Sequence, residues 1–336
     1  ATIDSRAVLE GHGMGLDDAC RVSAFSAAGI SSDHHIKTGE ECLLKLRSGL
    51  FIELPRHSLA TVLPYLLENE VQDWSNVSIC TDDRDALEAL RDGTMDYNIR
   101  TAIKTGVSVE VAYAMASYYP ARHWHLEHQV GSITPGRYAD IVLMKDLEKV
   151  RVGRVFVNGR LAARDGEYLL DIPRIDYPDW ARKSIQVGRK LNAGDFAIQA
   201  PEGKRKVKVA LLEFWYFEED FLTETMEVRD GQVYPDMKRG ISKVAVVDRY
   251  HRDAQVSKMF WRGVGPRDSD STLASSVCHD THNIWVVGNS DTSMALAVNA
   301  VVEMGGGWAL VRNCLLYTSD AADDTPCVDL GGRRII

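Results

Sequence analysis

Long apolar runs, paired cysteines and an excess of positive charge are all missing from this 336-residue sequence. No stretch approaches the ~20 apolar residues that a membrane-spanning helix needs, and we expect no signal peptide ahead of Gly11. The six cysteines lie far apart without a Cys-x-x-Cys pair, which argues against a zinc knuckle or a disulfide framework. We therefore expect a protein of the reducing cytoplasm.

Negative charge predominates, because the formal net charge is −9 at pH 7. A field of this sign repels nucleic acid and anionic membrane surfaces, so we expect neither of them as a partner. The content of 45% hydrophobic and 26% charged residues is ordinary for a soluble globular protein with a packed core. These properties favour a small-molecule substrate and leave assembly into a homo-oligomer open.

Short apolar segments alternate with helix-forming segments in the first part of the chain. Four of them have the composition of buried parallel strands, at residues 7–12, 29–33, 50–54 and 77–82. The third helical stretch contains Pro64, where we expect a kink or a restart. This spacing is that of a (β/α)8 barrel, but it supplies only half of one. Because a free half barrel would expose two sheet edges, we expect the other strands to precede this sequence in the natural protein.

The middle of the chain predicts a different architecture. Residues 131–144 read as a Pro-Gly turn followed by a buried strand. Asn158-Gly159 lies between two alternating runs, which is the strongest short signal for a β-hairpin. The proline- and tyrosine-bearing stretch 173–184 is typical of a linker between domains. Beyond it, strand patterns and one long helix alternate.

These patterns together predict an α/β protein with several segments. Residues 314–336 continue no pattern and resemble translated adapter DNA, so we expect them to be non-native and to take no part in the fold. The predicted segments are the second half of a barrel over 1–130, a small β-sandwich return segment over 131–172, a linker over 173–184, an α+β C-terminal domain over 185–313, and the tail over 314–336.

Polar side chains follow each of the four predicted barrel strands, and those after the first, second and fourth include candidate metal ligands. His12 ends the first strand, His34 follows the second, and Asp82 and Asp83 follow the fourth. In parallel α/β barrels this end of the strands is the catalytic face. Carboxylates beside a buried strand are costly unless a cation or a substrate proton uses them. Taken alone, the two aspartates could equally well serve only to cap the helix that begins near Asp85.

Two imidazoles and a carboxylate form a metal-ligand set by residue type. Imidazole nitrogen and carboxylate oxygen suit zinc, iron or manganese. Each residue alone is weak evidence, because a single histidine in a loop is most often a solvated polar residue. The local cluster of His123, His125 and His128 is interpreted in that plainer way. Three such groups at strand ends, in the order His, His, Asp, are a much stronger signal.

Several motifs then point to one family. In the first half of the chain they are Glu10-Gly-His12-Gly, Ala28-Gly-Ile-Ser-Ser-Asp33-His34, Lys45-Leu-Arg-Ser-Gly49, Cys80-Thr-Asp82-Asp83, and the stretches 116–122 and 131–143. In the second half they are Ser276-Val-Cys-His279-Asp280-Thr-His282-Asn283 and the stretch 294–307. On these motifs the chain resembles the amidohydrolase superfamily and, within it, the adenine deaminase family, from about residue 8 to residue 313.

The resemblance implies a metal-dependent amidohydrolase barrel that hydrolyses the exocyclic amine of adenine and releases hypoxanthine and ammonia. It assigns His12, His34 and Asp82 as metal ligands, with Asp82 also moving the proton of the attacking water. The implied cofactor is a binuclear Mn²⁺ or Fe²⁺ centre, with Zn²⁺ as the alternative. Asp83 is assigned to catalysis or substrate contact, and either aspartate can fill the catalytic role.

Two departures from the family pattern bear on activity. His35 stands where we expect a glutamate, so it becomes a candidate substrate contact together with His57, which follows the third strand. The resemblance also implies ligands on the first and fourth strands of the complete barrel, which we expect to precede Ala1, so we expect this polypeptide alone to hold an incomplete binuclear site and to be inactive. The dense polar stretch His279, Asp280, His282 and Asn283 is interpreted either as a lid over the site or as a structural turn network.

Two other functions remain open from the sequence. A related amidohydrolase acting on a cyclic amide or another amino-heterocycle would use the same metal chemistry. A non-catalytic relative would keep the fold after losing ligands, and the change at His35 is the feature that favours this second alternative.

Overall fold

The computed structural model describes residues 8–172, 175–215, 218–278, 281–313 and 315–319. The chain divides into two compact units, residues 1–173 and 174–336. Each unit has apolar clusters of its own. The division falls where the predicted linker 173–184 begins. Among the described residues, no helix has the length and apolarity needed to cross a membrane.

Unit 1 begins with a parallel sheet that is flanked by helices. Within the described residues this sheet has three strands in the order β1-β2-β3, and both neighbouring pairs are parallel. The strands are β1 (Ser32–Asp33), β2 (Phe51–Pro55) and β3 (Val77–Cys80). The helices are α1 (Ala19–Ala27), α2 (Gly39–Arg47), α3 (Arg56–Glu68), α4 (Ala86–Asp92), α5 (Met95–Lys104), α6 (Val109–Met115) and α7 (Tyr118–His123).

The core of unit 1 lies between β2 and α3. Ile52 and Leu54 of β2 are fully buried, as are Leu59, Leu63 and Leu66 of α3. Complete burial of a leucine side chain contributes about 1.5–3 kcal/mol to folding. The β2 strand is buried along nearly all its length, as the sequence predicts for a strand of a parallel sheet.

Two expectations for unit 1 are wrong in detail. The described part of the predicted strand 7–12 is not assigned to a strand, although the amide of Ser31 donates to the carbonyl of Leu9 at 2.9 Å. Helix α3 runs through Pro64 without a restart, so that alternative is wrong, whereas the expected kink stays a prediction. Proline removes one helical hydrogen bond there, and the buried leucines on either side of it outweigh that loss.

Unit 1 ends in an antiparallel meander. The strands β4 (Ile141–Asp146), β5 (Arg151–Val157), β6 (Arg160–Arg164) and β7 (Glu167–Tyr168) pair in sequence order. Asn158 and Gly159 form the turn between β5 and β6 and have φ angles of 48° and 74°. A tight hairpin turn of this kind requires positive φ at both central residues, so the predicted hairpin is confirmed for a steric reason.

Unit 2 is built around one large mixed sheet. Its described strands lie in the order β17-β16-β14-β15-β12-β13-β9-β10-β11-β8. They are β8 (Ile198–Gln199), β9 (Lys206–Trp215), β10 (Glu218–Arg229), β11 (Gln232–Val233), β12 (Ile241–Val247), β13 (Val256–Arg262), β14 (Thr272–Ser275), β15 (Ile284–Gly288), β16 (Trp308–Arg312) and β17 (Leu315–Ser319). The helices are α8 (Asp179–Arg182), α9 (Ala193–Phe196) and α10 (Asp291–Met304), with a 3₁₀ turn at Met237–Arg239.

Helix α10 packs on this sheet and has the ends that its sequence predicts. The Ser290 side chain accepts from the amide of Ser293, and Gly305 closes the helix at a φ of 79°. Seven of its residues are buried, among them Met294, Val298 and Val301. Serine caps the first turn, and glycine adopts the left-handed conformation at the end without steric cost.

The expectation that the C-terminal tail takes no part in the fold is wrong for residues 315–319. These residues form β17, which pairs antiparallel with β16 from Arg312↔Leu315 to Trp308↔Ser319. Backbone pairing on the open edge of a sheet needs no particular side-chain pattern, so no sequence pattern predicted this strand. The other tail residues lie outside the described part of the chain.

Candidate functional site

The structure brings His12 and His34 together at the carboxyl end of β1. His34 directly follows this strand, and His12 lies in the segment that precedes α1. His12 Nδ1 and His34 Nε2 are 2.9 Å apart, and the ring centroids are 4.7 Å apart. One of the two nitrogens donates and the other accepts, according to the tautomers. Two predicted metal ligands that are far apart in sequence are therefore in direct contact.

His35 adds a third imidazole to this pair. It is buried, and its ring centroid lies 4.9 Å from that of His12. Burial lowers the pKa of His35 below its ordinary value, and the neighbouring His12 lowers it further. Because burial disfavours the imidazolium form, His35 is neutral at physiological pH.

A buried ionic cluster lies directly beneath the histidines. Asp33 and Lys45 are fully buried, and Lys45 Nζ is 2.6 Å from Asp33 Oδ2. Glu41, one helical turn before Lys45 on α2, forms a second ion pair with the same ammonium group. This cluster fixes the backbone on both sides of the imidazoles.

A second polar network contains Glu10 and His123. Glu10 Oε1 is 2.8 Å from His123 Nε2, and the hydroxyl of Ser32 donates to the other carboxylate oxygen. The His123 ring stacks on Phe51 with the centroids 4.1 Å apart. Burial raises the pKa of Glu53 above its ordinary value, and the negative charge of Glu10 adds to that effect. The interpretation of His123 as a solvated side chain is therefore wrong.

Asp82 and Asp83 lie at the carboxyl end of β3, where the sequence predicts them, and both are exposed. Asp82 has a φ of 51°, and its Oδ1 accepts from the amide of Asp83 at 2.7 Å. Asp85 caps α4 by accepting from the amide of Glu88 at 2.8 Å. Asp85 therefore supplies the cap of α4. Asp82 and Asp83 are not needed as helix caps.

The described residues contain no group of three or more His, Cys, Asp or Glu side chains arranged to hold a metal ion. The structure therefore gathers two of the three predicted ligands, His12 and His34, and leaves Asp82 outside the pair. His57, the predicted substrate contact after β2, is exposed at the start of α3.

The spacing of the two histidines fits two ligands of one ion. Imidazole nitrogens bind zinc at about 2.0–2.1 Å, so two of them at an angle of about 90–110° stand roughly 2.9–3.4 Å apart. The observed separation of His12 Nδ1 and His34 Nε2 is 2.9 Å. Both nitrogens can present a lone pair to a cation once the hydrogen bond between them is given up.

The predicted lid falls partly within the described residues, in unit 2. His279 and Asp280 lie outside them. The carbonyl of His282 accepts from the Tyr250 hydroxyl at 2.9 Å, and Asn283 Oδ1 accepts from the amide of Arg249 at 3.2 Å. His282 also has a φ of 52°. These contacts within unit 2 are those of a turn network, so they favour the structural interpretation of this stretch.

The sequence interpretation missed Lys45, Asp33, Glu10 and Glu53 as parts of the site. A usable signal existed for Lys45, because Glu41 and Lys45 are four residues apart on a helix whose other residues are largely apolar. For the acidic residues, the only signal was a carboxylate within an apolar segment, and that pattern does not say which cation lies opposite.

Two family models match parts of the chain. Residues 53–162 match the amidohydrolase family, and residues 219–317 match the adenine deaminase C-terminal domain. The second match extends into β17, in agreement with the pairing of this strand in the sheet of unit 2.

Curated relatives match over nearly the whole chain. "Adenine deaminase 2" of a Jannaschia species is 48% identical over 312 residues, which is 93% of this chain and 50% of the relative. "Adenine deaminase 1" of a Bradyrhizobium species is 45% identical over the same shares of the two chains. The adenine deaminase of Moorella thermoacetica is 34% identical over 93% of this chain and 53% of its own length. The chain thus spans about half the length of the curated relatives it matches.

Solved structures give more distant likenesses. A beta-aspartyl dipeptidase from Fervidobacterium islandicum has a TM-score of 0.38 at 18% identity, over 50% of this chain and 48% of that one. An adenosine deaminase from Xanthomonas campestris with bound zinc has a TM-score of 0.34 at 17% identity, over 48% and 46% of the two chains. These scores are too low to define a common fold.

Proposed function

We propose, from the similarity of this chain to adenine deaminases over 93% of its length, that the full-length protein to which it belongs hydrolyses adenine to hypoxanthine and ammonia, and that this chain alone is inactive. The observation that carries the proposal is the pairing of His12 with His34 at 2.9 Å. These are the two imidazoles that the family resemblance assigns to the metal. The same proposal describes unit 1 as the second half of an amidohydrolase barrel with its β-sandwich return segment, followed by an α+β C-terminal domain.

The proposed cofactor is a divalent metal, as a binuclear Mn²⁺ or Fe²⁺ centre with Zn²⁺ as the alternative. His12 and His34 would bind one ion through ring nitrogens, and the carboxylate of Asp82 would be the third ligand. When bound, such an ion would strongly lower the pKa of the attacking water. Asp82 is exposed and has a φ of 51°. Its side chain must therefore turn toward the histidines before it can bind the ion.

The chain's own residues then handle the proton. Asp82 accepts a proton from the water as the oxygen attacks the carbon that carries the amine, and it returns the proton to a ring nitrogen or to the departing ammonia. Water supplies one oxygen and two protons, so hypoxanthine and ammonia balance adenine and water. His35, His57 and Asp83 are the candidates for hydrogen bonds to the purine. A neutral His35, with its lowered pKa, can either donate or accept such a bond.

The proposal places the reaction in purine salvage and in the cytoplasm. The wide spacing of the cysteines in the sequence supports this compartment. The substrate is a neutral small molecule, which the negative net charge does not repel. The proposal includes a protein that can assemble into a homo-oligomer.

The test is ammonia release from adenine by the full-length protein and by His12→Ala, His34→Ala and Asp82→Asn variants. We expect each substitution to lower kcat/KM about 100-fold or more, because each removes a ligand or the proton carrier. His251→Ala is the matched control, since this exposed histidine is ion-paired with Asp248 in unit 2. Metal content of the purified variants is measured in parallel.

The outcomes separate the competing functions. Release of ammonia from adenine, but not from cytosine or guanine, supports the proposal. Ring opening of a hydantoin without adenine turnover would assign the protein to cyclic amides. A folded full-length protein with neither bound metal nor turnover would be a non-catalytic relative, which is the alternative that His35 keeps open.

A further inference from the structure

The inference concerns the buried pair formed by Asp33 and Lys45. Both side chains are fully buried, and Lys45 Nζ lies 2.6 Å from Asp33 Oδ2. Glu41 contacts the same ammonium group and is itself almost completely buried. Removing charges from water costs several kcal/mol for each ion, so a buried pair of this kind contributes little net stability. Stability alone is therefore a poor explanation for its presence.

The contacts of the pair reach both loops that carry the histidines. Asp33 Oδ1 accepts from the amide of Gly13 at 2.8 Å and from the amide of His35 at 3.0 Å. Lys45 Nζ donates to the carbonyl of His35 at 2.9 Å and to that of Gly13 at 3.3 Å. The Asp33 carboxylate thus binds the amides of Gly13 and His35, and the Lys45 ammonium group binds the carbonyls of the same two residues. Each of those residues is the immediate neighbour of a predicted metal ligand.

The close approach of the two loops depends on this arrangement. A Cβ atom added to Gly13 would lie 2.4 Å from Asp33 Oδ2 and 2.7 Å from Leu16 Cδ1. The backbone at Gly13 therefore rests directly on the Asp33 carboxylate. Residues 8–13 form no assigned strand. The amide of Ser31 donates to the Leu9 carbonyl at 2.9 Å, and the polar contacts with Asp33 and Lys45 define the position of the segment at Gly13.

We propose that Asp33 and Lys45 are positioning residues that set the separation between His12 Nδ1 and His34 Nε2. The pair acts through the backbone of Gly13 and His35 and does not itself touch the substrate. This inference rests on the proposed function, because that function requires the histidine pair to bind a metal ion. Groups that orient metal ligands typically change metal affinity about 10–100-fold when they are removed.

The test compares four variants of the full-length protein: Lys45→Met, Asp33→Asn, the Asp33→Asn/Lys45→Met double variant, and Lys45→Arg. Zn²⁺ affinity is measured by competition with a chromophoric chelator, and amide hydrogen exchange is followed at Gly13 and His35. We expect Lys45→Met to weaken Zn²⁺ binding about 10–100-fold and to accelerate exchange at both amides. Lys45→Arg keeps the charge, so we expect it to recover part of the affinity.

The matched control is Lys243→Met in unit 2. Lys243 is 1% exposed, is ion-paired with Asp291 and donates to the carbonyl of Phe196 at 3.0 Å. Its loss removes a buried ion pair of the same kind at a position outside the histidine loops. We expect lower stability in this variant with unchanged Zn²⁺ affinity and unchanged exchange at Gly13 and His35.

The double variant keeps the proposal falsifiable if Lys45→Met does not fold, because it removes the fully buried Asp33 charge that Lys45→Met would leave unpaired. Only the Glu41 carboxylate then lacks its ammonium partner, and it still accepts from the amide of Lys37 at 2.9 Å. A folded double variant with wild-type Zn²⁺ affinity and wild-type exchange would overturn the positioning role. A different result would overturn the proposed function instead: Zn²⁺ binding that His12→Ala and His34→Ala leave unchanged. In that case the exchange measurements at Gly13 and His35 still decide whether the pair holds the two loops.

Discussion

At the scale of single residues, the site depends on contacts between side chains and backbone that cross from one loop to another. His12 and His34 meet because the residues next to them, Gly13 and His35, hydrogen-bond to the same buried carboxylate, Asp33. The order of histidines along the chain is visible in the sequence. Their separation of 2.9 Å is not, because it depends on how closely two loops approach each other.

Gly13 provides a direct test at this scale. Replacement of Gly13 by alanine puts a Cβ atom 2.4 Å from Asp33 Oδ2, so the carboxylate or the loop must move. We expect amide exchange at His35 to accelerate about 10-fold, which corresponds to a local loss of about 1.4 kcal/mol. Hydrogen exchange followed by mass spectrometry measures this change.

Gly15→Ala is the control for that substitution. Gly15 has a φ of 71°, and an added Cβ there meets nothing within 4 Å. Its alanine variant carries the general cost of a left-handed alanine, about 1 kcal/mol, without touching Asp33. Equal exchange rates at His35 in the two variants would contradict the close-approach argument.

At the scale of elements, local patterns predict a helix or strand well where one of its faces is buried. They predict its position poorly where only polar side chains connect it to the rest of the unit. The β2 strand, helix α10 and the hairpin at Asn158-Gly159 follow from burial, capping and turn sterics. Helix α4 differs, because it has no buried residue and Leu87 and Leu90 are 71% and 70% exposed. Its position depends on ion pairs that the sequence alone cannot match to their partners.

Arg56 is the main attachment of α4 to the rest of unit 1. Its Nη1 lies 2.8 Å from Glu88 Oε2, and its Nη2 lies 2.7 Å from Asp92 Oδ2. Its guanidinium also covers the ring of Tyr97 at 4.2 Å. We expect Arg56→Met to accelerate amide exchange in α4 about fivefold, because partly exposed ion pairs are individually weak.

The pH dependence of α4 follows from the same contacts. Arg91, and then Arg56, hold the pKa of Asp92 well below its usual range. A depressed carboxyl pKa stabilises the folded state above the ordinary value of about 4, and this stabilisation is lost as the pH falls below it. We therefore expect α4 to lose exchange protection below about pH 4 in the wild type, and Arg56→Met to reduce that dependence.

Arg91→Met is the informative comparison for α4. Arg91 pairs with Asp92 within the helix, and among the described residues no ion pair joins it to a second element. If it loosens α4 as much as Arg56→Met does, then the contact between helices is not what holds α4 in place. The exchange of α10, which belongs to unit 2, serves as the internal reference.

At the scale of the whole molecule, the chain divides into two compact units, residues 1–173 and residues 174–336. The short helix α8 beyond this boundary has no buried residue, and Trp180 is 80% exposed. We predict that brief trypsin treatment cuts first at Arg182 or Lys183 and leaves two resistant fragments. An exposed four-residue helix opens at little cost, whereas cleavage within either core requires unfolding of that core.

The measurement for this prediction is the mass of the first fragments, with Arg182→Ala/Lys183→Ala as the control. In that variant the first cleavage should be slowed or moved. First cuts inside residues 40–70 or 240–300, ahead of any cut at Arg182 or Lys183, would show that the cores open more easily than this segment.

The sequence by itself determined the local elements and the chemical types at the ends of the strands. Buried strands, the caps of α10 and the hairpin turn follow from the conformational propensities and sterics of residues that are neighbours in sequence. Only the tertiary structure decided that His12 and His34 touch, that Asp33 and Lys45 are buried together, and that Asp82 stays exposed. These facts depend on the packing of loops that are distant in sequence, and a local pattern contains no information about such distances.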